Sequence, residues 1–211
     1  MNSDQFLRSP ELMSPGDTGL LVIDVQERLA PAIAGYRRVV WNIRRLIDGA
    51  KTLRLPVIAT EQYPKGLGPT VPELAERLGQ IPSKLTFSCC GCPESFQDLE
   101  NRGVHKILVC GIEAHVCVQQ SVLDLLARGW RVYVAADAVG SRRDVDYRIA
   151  LRRMDSAGAM LTTTEAALFE WCTIAGTPQF KEISRLAKED PPGGEDEGRM
   201  TNEERQMMSD R

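Results

Sequence analysis

Between Gly19 and Ala187, short apolar runs alternate with longer segments of helical period. The runs Leu20–Ile23, Val57–Thr60, Ile107–Cys110 and Val132–Ala136 are continuous and rich in β-branched residues. Such runs mark strands buried on both faces. Two weaker runs, Ser83–Thr86 and Ala159–Thr162, predict a third and a sixth strand. Val39, Ile43, Leu46, Ile47, Ala50 and Leu53 share one face of a long helix. Val118, Val122, Leu125 and Leu126 form a second apolar face, stopped by Gly129 in a C-cap position, and Ile149, Leu151 and Met154 a third that ends at Gly158. Pro93–Arg102 and Glu165–Cys172 predict two shorter helices. Alternating strands and helices of this kind predict a three-layer α/β/α domain around a mainly parallel, six-stranded, Rossmann-like sheet. Ligands then sit outside the carboxyl ends of the strands. The residues to watch are therefore Asp24, Glu61–Lys65, Lys84–Ser88, Gly111–Cys117 and Asp137–Arg143.

Composition narrows the class. With 211 residues the chain suits one sizeable domain. Hydrophobic residues at 43% and charged residues at 26% fit a soluble globular protein. A formal charge of −3 is opposite to the bias of a protein living on phosphate contacts, so no nucleic-acid partner is expected. No apolar run approaches the roughly 18 residues of a membrane span, and Met1–Asp17 lacks the apolar centre of a secretory signal. A cytoplasmic location is expected. From Lys188 onward the chain holds eight acidic and four basic residues, a Pro-Pro-Gly-Gly breaker and no aromatic residue. The expected organisation is a domain over 1–187 and an acidic, disordered tail over 188–211, with a short helix near Asn202–Met208.

The six cysteines do not resemble a disulfide scaffold in a chain of this length, and two histidines leave little for a His-rich metal site. Cys89-Cys90-Gly91-Cys92 contains a C-x-x-C pair. It has no second ligand pair for zinc, which leaves a redox role as its one alternative to a structural one. Cys110 and Cys172 fall on apolar elements and read as core. The pairs Arg37-Arg38, Arg44-Arg45 and Arg152-Arg153 read as solvated helix faces or subunit contacts. Cys117 stands apart, because it follows a strand and opens a helix. Free amides and positive potential there favour thiolate, and the same amides can hold an anion. Asp24 closes the first strand, where it either caps a turn or takes a thiol proton. Lys84 closes the third, where it is either a surface charge or the cation that orients that carboxylate.

The segments LLVIDVQ at Leu20–Gln26, KLTFS at Lys84–Ser88, CGIEAHVCV at Cys110–Val118 and Asp137–Ala159 together resemble the isochorismatase-like cysteine hydrolases. Thr60–Leu74 and Pro178–Glu189 are most similar to the isochorismatase-domain-containing subgroup. The resemblance implies a triad of Asp24, Lys84 and Cys117, and a cis peptide between Ile112 and Glu113. The Glu113 and Cys117 amides would then hold a developing oxyanion. It implies covalent hydrolysis of a small amide-like substrate, and a homo-oligomer, for which Trp130 and Trp171 also offer apolar surface. The family's nicotinamidase branch carries an Asp and two His after the second strand to bind a metal. Here that stretch is Thr60-Glu61-Gln62-Tyr63-Pro64-Lys65-Gly66, so neither metal nor organic cofactor is expected. Glu61, Tyr63 and Phe87 would line the pocket, with Leu29 and His115 at its edge. The alternative is an interaction protein that kept the fold and lost its substrate. The expected strand order is 3-2-1-4-5-6, which brings Asp24 and Cys117 together at the switch point.

Overall fold

A computed structural model describes residues 8–193. Its six strands are β1 (Thr18–Ile23), β2 (Val57–Gln62), β3 (Ser83–Lys84), β4 (Lys106–Ile112), β5 (Arg131–Gly140) and β6 (Met160–Thr162). They form one sheet in the order β3-β2-β1-β4-β5-β6, with every neighbouring pair parallel. Every residue of β1 and of β4 is buried, which is why these strands are written as unbroken apolar runs. Alternation along β1 sends Leu20 and Val22 into one layer and Leu21 and Ile23 into the other. The first layer is closed by α1 (Tyr36–Thr52), α7 (Thr164–Cys172) and α8 (Pro178–Ala187), and the second by α4 (Pro93–Asn101), α5 (Gln119–Ala127) and α6 (Asp144–Ser156). Two single-turn helices, α2 (Pro64–Leu67) and α3 (Pro72–Ala75), complete the β2–β3 connection.

The strand order and layers are those the sequence predicts, and the differences are local. The third strand keeps only Ser83 and Lys84, because the chain turns away to wrap the Lys84 side chain. The fifth extends to Gly140, with a register shift against β4 between Val109 and Gly111. Asp137 is thus inside β5, where its Oδ1 accepts from the Thr164 amide and hydroxyl at the start of α7. Helix α8 is absent from the sequence reading. Arg45 is not on a solvated face. It is buried, stacks on Trp41 at 4.2 Å from the ring centroid, and donates to the Leu186 and Ala187 carbonyls that end α8. Arg44 pairs with Asp48 and Glu189. Trp130 and Trp171 belong to the core rather than to a subunit surface. Glu189 is tied to the domain through Arg44 and Arg185. The expected helix near Asn202–Met208 lies outside the described residues.

One glycine decides how closely β1 and β4 meet below the site. Gly111 has φ +126°, and a Cβ placed there would lie 2.1 Å from the Ile23 carbonyl oxygen. Only glycine allows this backbone and this approach together. The register then sets Ile23 between Thr60 on β2 and Gly111 on β4, so that Asp24 emerges between the two.

Candidate active site

Asp24 is fully buried just past β1, in the left-handed region at φ +54°. Its backbone amide donates to the Thr60 carbonyl at 3.1 Å, which continues the β1–β2 ladder one step past the strand. Its two carboxylate oxygens have separate partners. Thr60 Oγ1 donates to Oδ1 at 2.8 Å, and Lys84 Nζ donates to Oδ2 at 2.7 Å. Lys84 is 5% exposed, so this is a buried ion pair rather than a surface one. Such a pair persists only when its other valences are met. Lys84 Nζ also reaches Gln62 Oε1 at 2.9 Å and the Phe87 and Thr86 carbonyls at 2.9 and 3.2 Å. The parallel register of β2 and β3, Gln62 beside Lys84, brings the first of these acceptors into place.

Cys117 is buried at the opposite side of this pair, beyond the end of β4. It lies in a single π turn over Ala114–Val118, in which the Val118 amide bonds the Glu113 carbonyl at 3.2 Å, and α5 follows at once. Such turns recur at functional sites. The Ile112–Glu113 peptide bond is cis, as the resemblance implies. Proximity to a helix start favours thiolate in the sequence reading, but in the structure the surroundings shift the thiol the other way. Burial is the largest influence and raises the thiol's pKa, the Asp24 charge raises it further, and Lys84 opposes them only in part. The thiol hydrogen-bonds Asp24. The site therefore sets the Cys117 thiol against a carboxylate already paired with Lys84.

The other expected site residues sit around this centre in different ways. The Glu113 side chain is buried and its Oε1 accepts from the Arg142 amide and Nε, which ties the loop before Cys117 to the β5–α6 connection. His115 is half-buried, with Nδ1 3.0 Å from Ser141 Oγ. Tyr63 and Phe87 are about half exposed, at 50% and 51%. Their backbones bracket Lys84, since the Tyr63 amide donates to the Lys84 carbonyl. Leu29 packs against the first core layer. Glu61 accepts from the Thr70 amide and hydroxyl at 2.6 and 2.8 Å, closing the β2–β3 connection on itself. Thr60 and Gln62 touch the ion pair directly; the sequence reading misses Thr60 and marks Gln62 only as one position within Glu61–Lys65. Their signal is the period of two along β2, which puts both on one face. Cys89, Cys90 and Cys92 are free thiols, the first two buried. Among the described residues no group of three or more His, Cys, Asp or Glu is placed to hold a metal ion, and no helix is long and apolar enough to cross a membrane.

A parallel Rossmann-like sheet with a buried Asp–Lys pair and a thiol at or beyond the carboxyl ends of β1, β3 and β4 defines an α/β protein of the isochorismatase-like hydrolase fold. Residues 18–166 match the family model described as the isochorismatase domain. The chain belongs to the isochorismatase family. It is 42% identical over 179 residues to human isochorismatase domain-containing protein 2, covering 84% of this chain and 86% of that protein. Among solved structures it is similar to the MAR1 ribonuclease from Caenorhabditis elegans, with TM-score 0.81 and 42% identity over 86% of this chain and 94% of that one. It is also similar to YcaC from Pseudomonas aeruginosa, solved with hexane-2,5-diol and covalent acrylamide, with TM-score 0.77, 25% identity and coverage of 86% and 94%.

Proposed function

We propose that the protein is a cysteine hydrolase that cleaves a small amide-like C–N bond. The observation that carries this reading is the buried contact of Asp24 with Lys84 at 2.7 Å, beside a thiol that donates to the same carboxylate. Asp24 accepts the Cys117 proton as Sγ bonds to the carbonyl carbon. Lys84 holds the carboxylate's orientation and offsets its charge. The Glu113 and Cys117 amides receive the developing oxyanion. The C–N bond then breaks, and nitrogen leaves with the proton returned from Asp24. Water attacks the thioester, gives a proton back through Asp24 to sulfur, and releases the acid. No step in this route calls for a metal or an organic cofactor. Glu61, Tyr63 and Phe87, with Leu29 and His115, are proposed to shape the substrate pocket.

Screening primary amides and carbamoyl compounds for ammonia release, with an RNA oligonucleotide as a further arm, tests this reading. At least one amide should be hydrolysed by the wild type and none by Cys117→Ala. An inert amide panel beside a cleaved RNA, or an active Cys117→Ala, would overturn it. We further propose a homo-oligomer. The support lies in Val145 and Ile149, one turn apart on α6 and 55% and 48% exposed among the described residues, which present neighbouring apolar side chains at the surface.

A further inference from the structure

Thr60 and Cys89 lie next to the proposed catalytic groups without belonging to them. Thr60 has one hydroxyl proton, and it goes to Asp24 Oδ1. Its oxygen also lies 3.3 Å from Cys89 Sγ, so the thiol is the donor in that contact. Cys89 is fully buried, and burial first, then the Asp24 charge, push its pKa up to about 12, so it keeps its proton. The Cys89 amide donates to Ser121 Oγ at 2.9 Å, and Ser121 Oγ donates to the Cys117 carbonyl at 2.6 Å. One buried residue, on the same loop as Lys84, thus sends one hydrogen-bond chain to the base and another to the main chain of the nucleophile.

We propose that Thr60, held in its rotamer by the Cys89 thiol, is a positioning residue for Asp24, a role that rests on reading Asp24 and Cys117 as base and nucleophile. Its hydroxyl fixes the rotation of the carboxylate and takes up part of its negative charge. That charge sets how tightly the neighbouring thiol keeps its proton. The other groups acting on this pair are Lys84 from β3, Cys89 itself, and Cys92, which senses both Lys84 and Asp24.

The effect is readable without a substrate, as the rate of iodoacetamide labelling of Cys117 in the full chain at mildly alkaline pH. Peptide mass spectrometry follows Cys172, on α7 in the other core layer, in the same sample as an internal reference. Below a thiol's pKa, the labelling rate follows the thiolate fraction. Thr60→Val removes a donor from Asp24 and leaves more of its charge unmet. Cys117 labelling should slow about tenfold, one pK unit, with Cys172 unchanged. Thr60→Ser should restore the wild-type rate. Cys89→Ala should shift the rate in the same direction, and Cys89→Ser should not. In an Asp24→Asn background, which alone should speed labelling, Thr60→Val should have no effect. A mere packing role predicts the opposite sign, since loosening the site exposes the buried thiol. Wild-type or faster labelling in Thr60→Val, while Asp24→Asn still alters the Cys117 rate, would overturn the inference alone. An Asp24→Asn variant with unaltered Cys117 labelling would overturn the triad reading and the inference with it.

Discussion

At the scale of single residues, the site brings three chemically active groups into contact. Asp24 holds Lys84 at 2.7 Å and accepts from Cys117, while Lys84 has no partner in the site that could replace the carboxylate's charge. Asp24→Asn, Lys84→Ala and Cys117→Ala should each lower turnover by roughly a thousandfold or more, with double variants scarcely worse than singles. Additive losses in steady-state kinetics would show that the three act separately. The sequence makes these residues legible because each lies at or just beyond the carboxyl end of a strand, where an α/β fold places its chemistry. It conceals Thr60, which reads only as the end of an apolar run, and marks Gln62 without a role. It also misleads on protonation. A cysteine opening a helix predicts thiolate, yet burial and the Asp24 charge raise its pKa and Lys84 opposes them only in part. On the proposed route Asp24 then has a proton to remove in each cycle.

At the scale of elements, the approach of β1 to β4 is what turns separated motifs into one site. Gly111 is the residue on which that approach depends, through its φ of +126° and its contact with the Ile23 backbone. Gly111→Ala should destabilise the domain by roughly 2–4 kcal/mol. The change should appear as a lower urea midpoint, and an unshifted midpoint would mean the strands part without cost. The strands and the main helices can be read from periodicity because burial on both faces writes β1 and β4 as continuous apolar runs, and the strand order then follows from the expected Rossmann-like fold. Helix α8 escapes that reading. Its core contacts reduce to Ile183 and Leu186 with Phe180 partly buried, too sparse a stripe in a polar segment. Its anchoring comes instead from Arg45, a charge whose burial depends on the carbonyls of an element far along the chain. Residue type predicts exposure for such an arginine, and only tertiary structure supplies the acceptors that reverse it.

At the scale of the whole molecule, the segment before β1 is fastened across the sheet by Lys106, which donates to Asp17 Oδ2 at 2.8 Å and to the Leu12 carbonyl at 2.7 Å. Burial alone would raise the Asp17 pKa. The Lys106 hydrogen bond, with those from Thr18 and Ser14, overcomes it and brings the value down to about 2. The stabilisation this gives is therefore fully present above the ordinary value of 3.8 and is lost as pH falls toward 2. Asp17→Asn should flatten that part of the stability–pH curve, as followed by urea unfolding. Sedimentation should find the protein larger than a monomer at micromolar concentration, and replacing Val145 and Ile149 with Asp should dissociate it. A wild type that sediments as a monomer would remove the assigned role of the α6 stripe. The assembly question is separate from the chemistry, whose central claim is that Cys117 becomes covalently acylated. The most direct measurement is the mass of the Cys117 peptide after acid quench during turnover of a hydrolysed amide. An added acyl mass on Cys117 in the wild type, with neither adduct nor turnover in Cys117→Ala, is the predicted result. Turnover with no adduct on any cysteine, and undiminished in Cys117→Ala, would contradict it.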